Sequence, residues 1–115
     1  MRVRPGGSVS LRLYWRARRK PQHSYTAFVH LVDPSGRLVA QSDGLPQEGR
    51  LPTEFWLPGE LIIDEHRLAT PADTRPGEYR LHVGWYRLDT GQRLSVEEAP
   101  GGRGEFLDLG SYRLP

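Results

Sequence analysis

The sequence contains no cysteine. Disulfides and thiolate metal sites are therefore excluded. The compartment stays open, because a chain of 115 residues can bury a sizeable core without staples. Lysine is almost missing too: of 16 Lys and Arg residues, only Lys20 is a lysine. No run approaches the roughly 20 apolar residues that cross a bilayer as a helix. Met1 to Ser8 is charged and glycine-containing, unlike a signal peptide. No stretch sustains a helical period. No Gly-x-Ser-x-Gly elbow is present, and no spacing ties the serines, histidines and aspartates together. The chain is not expected to be an enzyme or to carry a cofactor.

What is present is alternation with a period of two. Val9, Leu11, Leu13 and Trp15 alternate with Ser10, Arg12, Tyr14 and Arg16, the pattern of a half-buried strand. Tyr25 to Val32 is apolar on both parities, as in a central strand. Asp33-Pro34-Ser35-Gly36 is a turn, and Arg37 to Ser42 returns beside it as a hairpin. Residues 43–60 hold Pro46, Pro52 and Pro58 and read as a long irregular connection. Leu61 to Leu68 resumes as strand. In Glu78 to Tyr86, Tyr79, Leu81, Val83 and Trp85 share one face, and Arg80, His82, Gly84 and Tyr86 share the other. Asp89-Thr90-Gly91 turns into a strand over Arg93 to Val96. Ala99 to Gly104 is a glycine-rich loop, and Phe106 to Leu114 is the closing strand. Seven or eight short strands in one domain, 1–115, predict an all-β, immunoglobulin-like antiparallel sandwich, with a jelly roll as the alternative. The predicted core is Val9, Leu11, Leu13, Trp15, Val29, Leu31, Leu81, Val83 and Trp85. Tyr79, just after Pro76-Gly77, is placed to bond back to the backbone at a corner.

Several phrases carry a family resemblance: Leu13-Tyr14-Trp15-Arg16-Ala17, Phe28-Val29-His30-Leu31-Val32-Asp33, Trp56-Leu57-Pro58-Gly59-Glu60, and Pro76-Gly77-Glu78-Tyr79 followed by Val83-Gly84-Trp85-Tyr86. Together, from about Val9 to Val96, they resemble an extracytoplasmic β-sandwich module. In bacteria it is appended to membrane glycosyltransferases related to the dolichyl-phosphate-mannose protein mannosyltransferases. The resemblance implies a non-catalytic accessory module, excised from a larger protein on the extracytoplasmic side of a bacterial membrane, with the parent's membrane-spanning region as its partner in cis. If the chain is complete, a cytoplasmic protein is expected instead. Trp85 departs from the pattern, which calls for a smaller apolar residue there.

The candidate ligands follow from residue type. Aromatic faces stack on the C–H surfaces of sugars, and charged side chains fix the hydroxyls. Tyr14, Arg80, His82 and Tyr86 face outward by parity, and Trp56 stands in the proline-rich loop as a further platform. These five are the candidate glycan-binding residues. The competing reading is a structural or protein-interaction domain without a small ligand, in which Trp56 plugs the core beneath its loop. The aspartates Asp33, Asp43, Asp64, Asp89 and Asp108 stand at loops or strand ends, where calcium could be held, but no dense Asp-x-Asp loop occurs. The adjacent pairs Asp64-Glu65 and Glu97-Glu98 read as solvated surface charge. The basic run Arg16, Arg18, Arg19, Lys20 reads as a solvated strand end or a headgroup contact. With no helix or aromatic platform beside it and a net charge of +2, nucleic acid is not expected as a partner.

Overall fold

Alternating residues build strands wherever one parity can be buried, and the chain does this repeatedly. The computed structural model describes residues 7–95 and 104–114. Six strands run through them: β1 (Ser8–Trp15), β2 (Tyr25–Val32), β3 (Leu38–Gly44), β4 (Ile62–Ala69), β5 (Gly77–Arg87) and β6 (Leu107–Leu114). They form two antiparallel sheets, β1-β4 and β3-β2-β5-β6. The only helical elements among the described residues are two 3₁₀ turns, Pro46–Gly49 and Thr53–Phe55. The molecule is an all-β sandwich.

The expected strand count is corrected from seven or eight to six. Arg93 makes a single bridge to Tyr86 and Leu94 donates its N–H to the Trp85 carbonyl, so the described part of Arg93 to Val96 is an isolated bridge beside β5 and not a strand. Val96, Glu97, Glu98 and most of the Ala99 to Gly104 loop lie outside the described residues.

The core lies between the sheets, and parity places it. Val9 and Leu68 from the small sheet meet Val29, Leu31, Ala40, Tyr79, Leu81 and Val83 from the large one. Leu11, Leu13 and Trp15, on the same parity of β1 as Val9, pack against that cluster while partly exposed. The Asp33 turn is held by its own carboxylate. Oδ1 accepts from the Ser35 N–H and hydroxyl and from the Arg37 N–H, and these bonds hold the acid below the ordinary carboxylate range.

At the start of β5, the buried Tyr79 hydroxyl donates to the Arg75 carbonyl four residues upstream. This is the corner bond expected from Pro76-Gly77. Tyr79→Phe keeps the ring and removes only that bond, so the unfolding free energy should fall by about 0.5–1.5 kcal/mol. An unchanged denaturant midpoint would show the bond to be idle.

Candidate functional site

The five residues singled out from the sequence do not share a surface. Tyr14 is 58% exposed on the outer side of the small sheet. Arg80, His82 and Tyr86 lie on the outer side of the large sheet, on the far side of the sandwich. The shared glycan face is therefore corrected: outward parity on β1 and on β5 points in opposite directions, because the two strands belong to different sheets. The large sheet's outer side is also heavily engaged. Arg80 donates to Asp108 at 2.7 Å and to the Ser111 hydroxyl at 2.8 Å, and this pairing keeps the Asp108 carboxyl below its ordinary range. His82 stacks on Phe106 with ring centroids 4.1 Å apart. Tyr86 stacks beside Phe28, whose other neighbours are His30 and the Arg93 guanidinium, 4.6 Å from its ring. His30 lies 3.4 Å from Asp43 without the alignment of a hydrogen bond. Burial holds its imidazole below the usual histidine range, with Arg93 adding to the effect and Asp43 opposing it.

Trp56 is different. It is 4% exposed and plugs the core beneath its loop, with Nε1–H donating to the Leu51 carbonyl at 3.0 Å. Its ring meets Trp85 edge-on at 5.6 Å, and Trp85 meets Trp15 edge-on at 4.8 Å. All three tryptophans of the chain therefore converge at one end of the sandwich. Trp15 comes from the last position of β1, Trp85 from the end of β5 and Trp56 from the proline-rich loop.

Local hydrogen bonds fix this arrangement. The buried Thr53 hydroxyl accepts the Tyr25 N–H and donates to the His23 carbonyl, clamping the loop to the start of β2. Lys20 Nζ donates to the carbonyls of Glu54 and Trp56, and the Gly59 N–H donates to the Ala17 carbonyl. The result is a pocket of about 630 Å³ with the three indoles, Tyr25, His23 and Leu94 in its walls and Arg16, Arg19 and Lys20 around it. That volume falls within the ordinary range for small-molecule sites, which combine aromatic walls with a few polar groups. The enclosed Trp15 Nε1 has no hydrogen-bond partner among the described residues. One signal in the sequence pointed here: the departure at Trp85, which is the residue touching both other indoles.

A second constellation escaped the sequence reading. On β4, Ile62, Asp64, His66 and Leu68 share the inward parity, and Asp64 is 1% exposed. The expectation that Asp64 is a solvated surface charge is corrected on that ground. Asp64 Oδ2 lies 2.7 Å from His66 Nε2, and His66 Nδ1 lies 3.1 Å from the Ser42 hydroxyl. The order Ser–His–Asp is that of a nucleophilic relay, but all three residues lie on the facing inner sides of β3 and β4, and His66 is 7% exposed. A nucleophile must reach an acyl carbon beside preorganised donors. Here the trio instead ties one sheet to the other. Among the described residues, no cluster of three or more carboxylate or imidazole groups is arranged to hold a metal ion.

No family model, no curated protein and no solved structure matches this chain. The resemblance to glycosyltransferase-appended modules rests on the sequence phrases alone.

Proposed function

We propose that this domain is a non-catalytic accessory module of a cell-envelope protein and that it binds carbohydrate in the three-tryptophan pocket. The observation that carries the reading is one open pocket walled by the part-exposed Trp15, Trp85 and Tyr25, with the buried Trp56 packed edge-on against Trp85. Indole and phenol faces offer large contact area to the C–H face of a sugar at small entropic cost. Placement on the extracytoplasmic side of a bacterial membrane, in cis to a membrane-spanning region, belongs to the same proposal and is supported by the sequence phrases. The immunoglobulin-like variety of sandwich is supported by the tyrosine corner at Arg75 and Tyr79.

Single sugars should bind at about millimolar, or −4.1 kcal/mol, since one ring covers little of the pocket, and oligosaccharides should bind more tightly. An NMR titration with neutral and acidic envelope-type oligosaccharides checks this. The indole N–H resonances of Trp15 and Trp85 should shift first, and Trp85→Phe should weaken binding while the melting midpoint is held. Silent indoles at high oligosaccharide concentration would remove the proposal.

One observation favours a second reading, a protein-interaction surface. Tyr14 and Ile63 are cross-strand partners on the outer side of the small sheet, and both are exposed, as are Leu61, Leu57 and Phe55. Light scattering or crosslinking in which Ile63→Glu disrupts an assembly, with sugar binding absent, would decide for it.

A further inference from the structure

We infer that the sugar taken by the tryptophan pocket is acidic, an oligosaccharide whose rings carry carboxylates; this rests on the carbohydrate reading of the same site. The chain as a whole is nearly balanced, with 16 Lys and Arg against 14 Asp and Glu. The pocket is not: its lining includes Arg16, Arg19, Lys20 and His23 and no carboxylate. Elsewhere among the described residues, three arginines have a carboxylate partner. Arg12 pairs with Glu65, Arg80 with Asp108 and Arg87 with Asp89. Among the described residues, Arg16 and Arg19 have no ion-pair partner, and both are exposed. Lys20 spends its ammonium on two backbone carbonyls, which hold the loop but leave its charge uncancelled.

Unpaired guanidinium groups beside an aromatic wall are complementary to one ligand chemistry in particular. A pyranose ring stacks by its C–H face, while a carboxylate on the ring carbon next to the ring oxygen projects from its edge. An indole would take the face, and a guanidinium at the rim would take the edge carboxylate through two parallel N–H···O bonds. A neutral sugar uses only the first of these. The two terms make the preference for acid over neutral sugar separable from sugar binding itself.

The test uses the full chain and two probes of equal length, tetragalacturonate and its fully methyl-esterified, neutral counterpart, titrated by calorimetry. The acid should bind about tenfold more tightly at low salt, or about 1.4 kcal/mol, and lose most of that advantage at high salt. The double variant Arg16→Gln, Arg19→Gln should bring the acid to the level of the ester, so that the ratio of the two affinities falls to about one. Both substitutions are at exposed positions, and an unchanged melting midpoint verifies the fold. Equal affinity of the two probes would overturn the acidic preference and leave the carbohydrate reading standing. An acid preference that survives the double variant would overturn the assignment to these arginines. No binding of either probe, nor of any neutral oligosaccharide, would overturn both readings together.

Discussion

Asp64→Ala should lower the unfolding free energy by about 3–5 kcal/mol, the usual cost of removing one partner from a buried charged network. Two groups lose a partner directly and a third follows. His66 Nε2 loses its 2.7 Å contact with Oδ2, and the Gln47 N–H loses its 2.9 Å bond to Oδ1. The third loss is indirect: His66, no longer oriented, releases the Ser42 hydroxyl. Gln47 and Glu48 carry φ of 52° and 57°, a left-handed pair that non-glycine residues seldom adopt, and Asp64 fastens the first of them. The 3₁₀ turn at Pro46–Gly49 should therefore loosen with the core. Chemical denaturation measures the loss. Asp64→Asn should lose less, because its amide oxygen can still accept from Gln47. Glu65→Ala, one residue on and facing outward, should leave the midpoint almost unmoved. If Asp64→Ala were as stable as the parent, the network would not be holding the sheets.

The second large effect concerns Gly84. In the β2–β5 register it lies directly opposite Phe28, which is 1% exposed although it faces away from the core. The ring lies across the glycine, so a Cβ built there falls onto Phe28 and stands 3.0 Å from the Glu105 carbonyl oxygen. Neither neighbour can retreat easily. The ring is bounded by His30, Tyr86 and Arg93, and the oxygen belongs to the backbone leading into β6. Gly84→Ala should cost about 3 kcal/mol, at the upper end of ordinary overpacking. Adding Phe28→Leu should return part of it by making room, and a double-mutant cycle measures that recovery. A Gly84→Ala protein that melts with the parent would mean that the ring packs elsewhere.

Much of this arrangement could be read from residue order. Val9, Val29, Leu31, Leu81 and Val83 are inside because their parity put them there. Tyr79 found its backbone acceptor because a proline and a glycine fixed the corner before it. The same rule placed Asp64 inward beside Ile62 and Leu68, but charge suggested exposure, and only the facing strand shows that His66 and Ser42 are there to receive it. The candidate site was less legible. Parity says which residues share a face of one strand, but it does not say which strands share a sheet. Tyr14 and His82 were thus grouped although a whole sandwich separates them. The tryptophan pocket is built across β1, β5 and a loop, from positions 15, 56 and 85, far apart in the sequence. No local period joins them.

Because every indole of the chain sits in that one cluster, the protein carries a built-in optical probe of a single place. Its intrinsic emission reports the loop-bearing end of the sandwich and is nearly blind to the opposite end, where the Asp33 turn and the tyrosine corner lie. Edge-on rings at 4.8 and 5.6 Å also exchange excitation, so emission from the trio is collective and responds to displacement of any one ring. An unfolding curve followed by fluorescence and one followed by backbone dichroism therefore observe different parts of the molecule. A gap between them would measure how far the loop end opens before the sheets part.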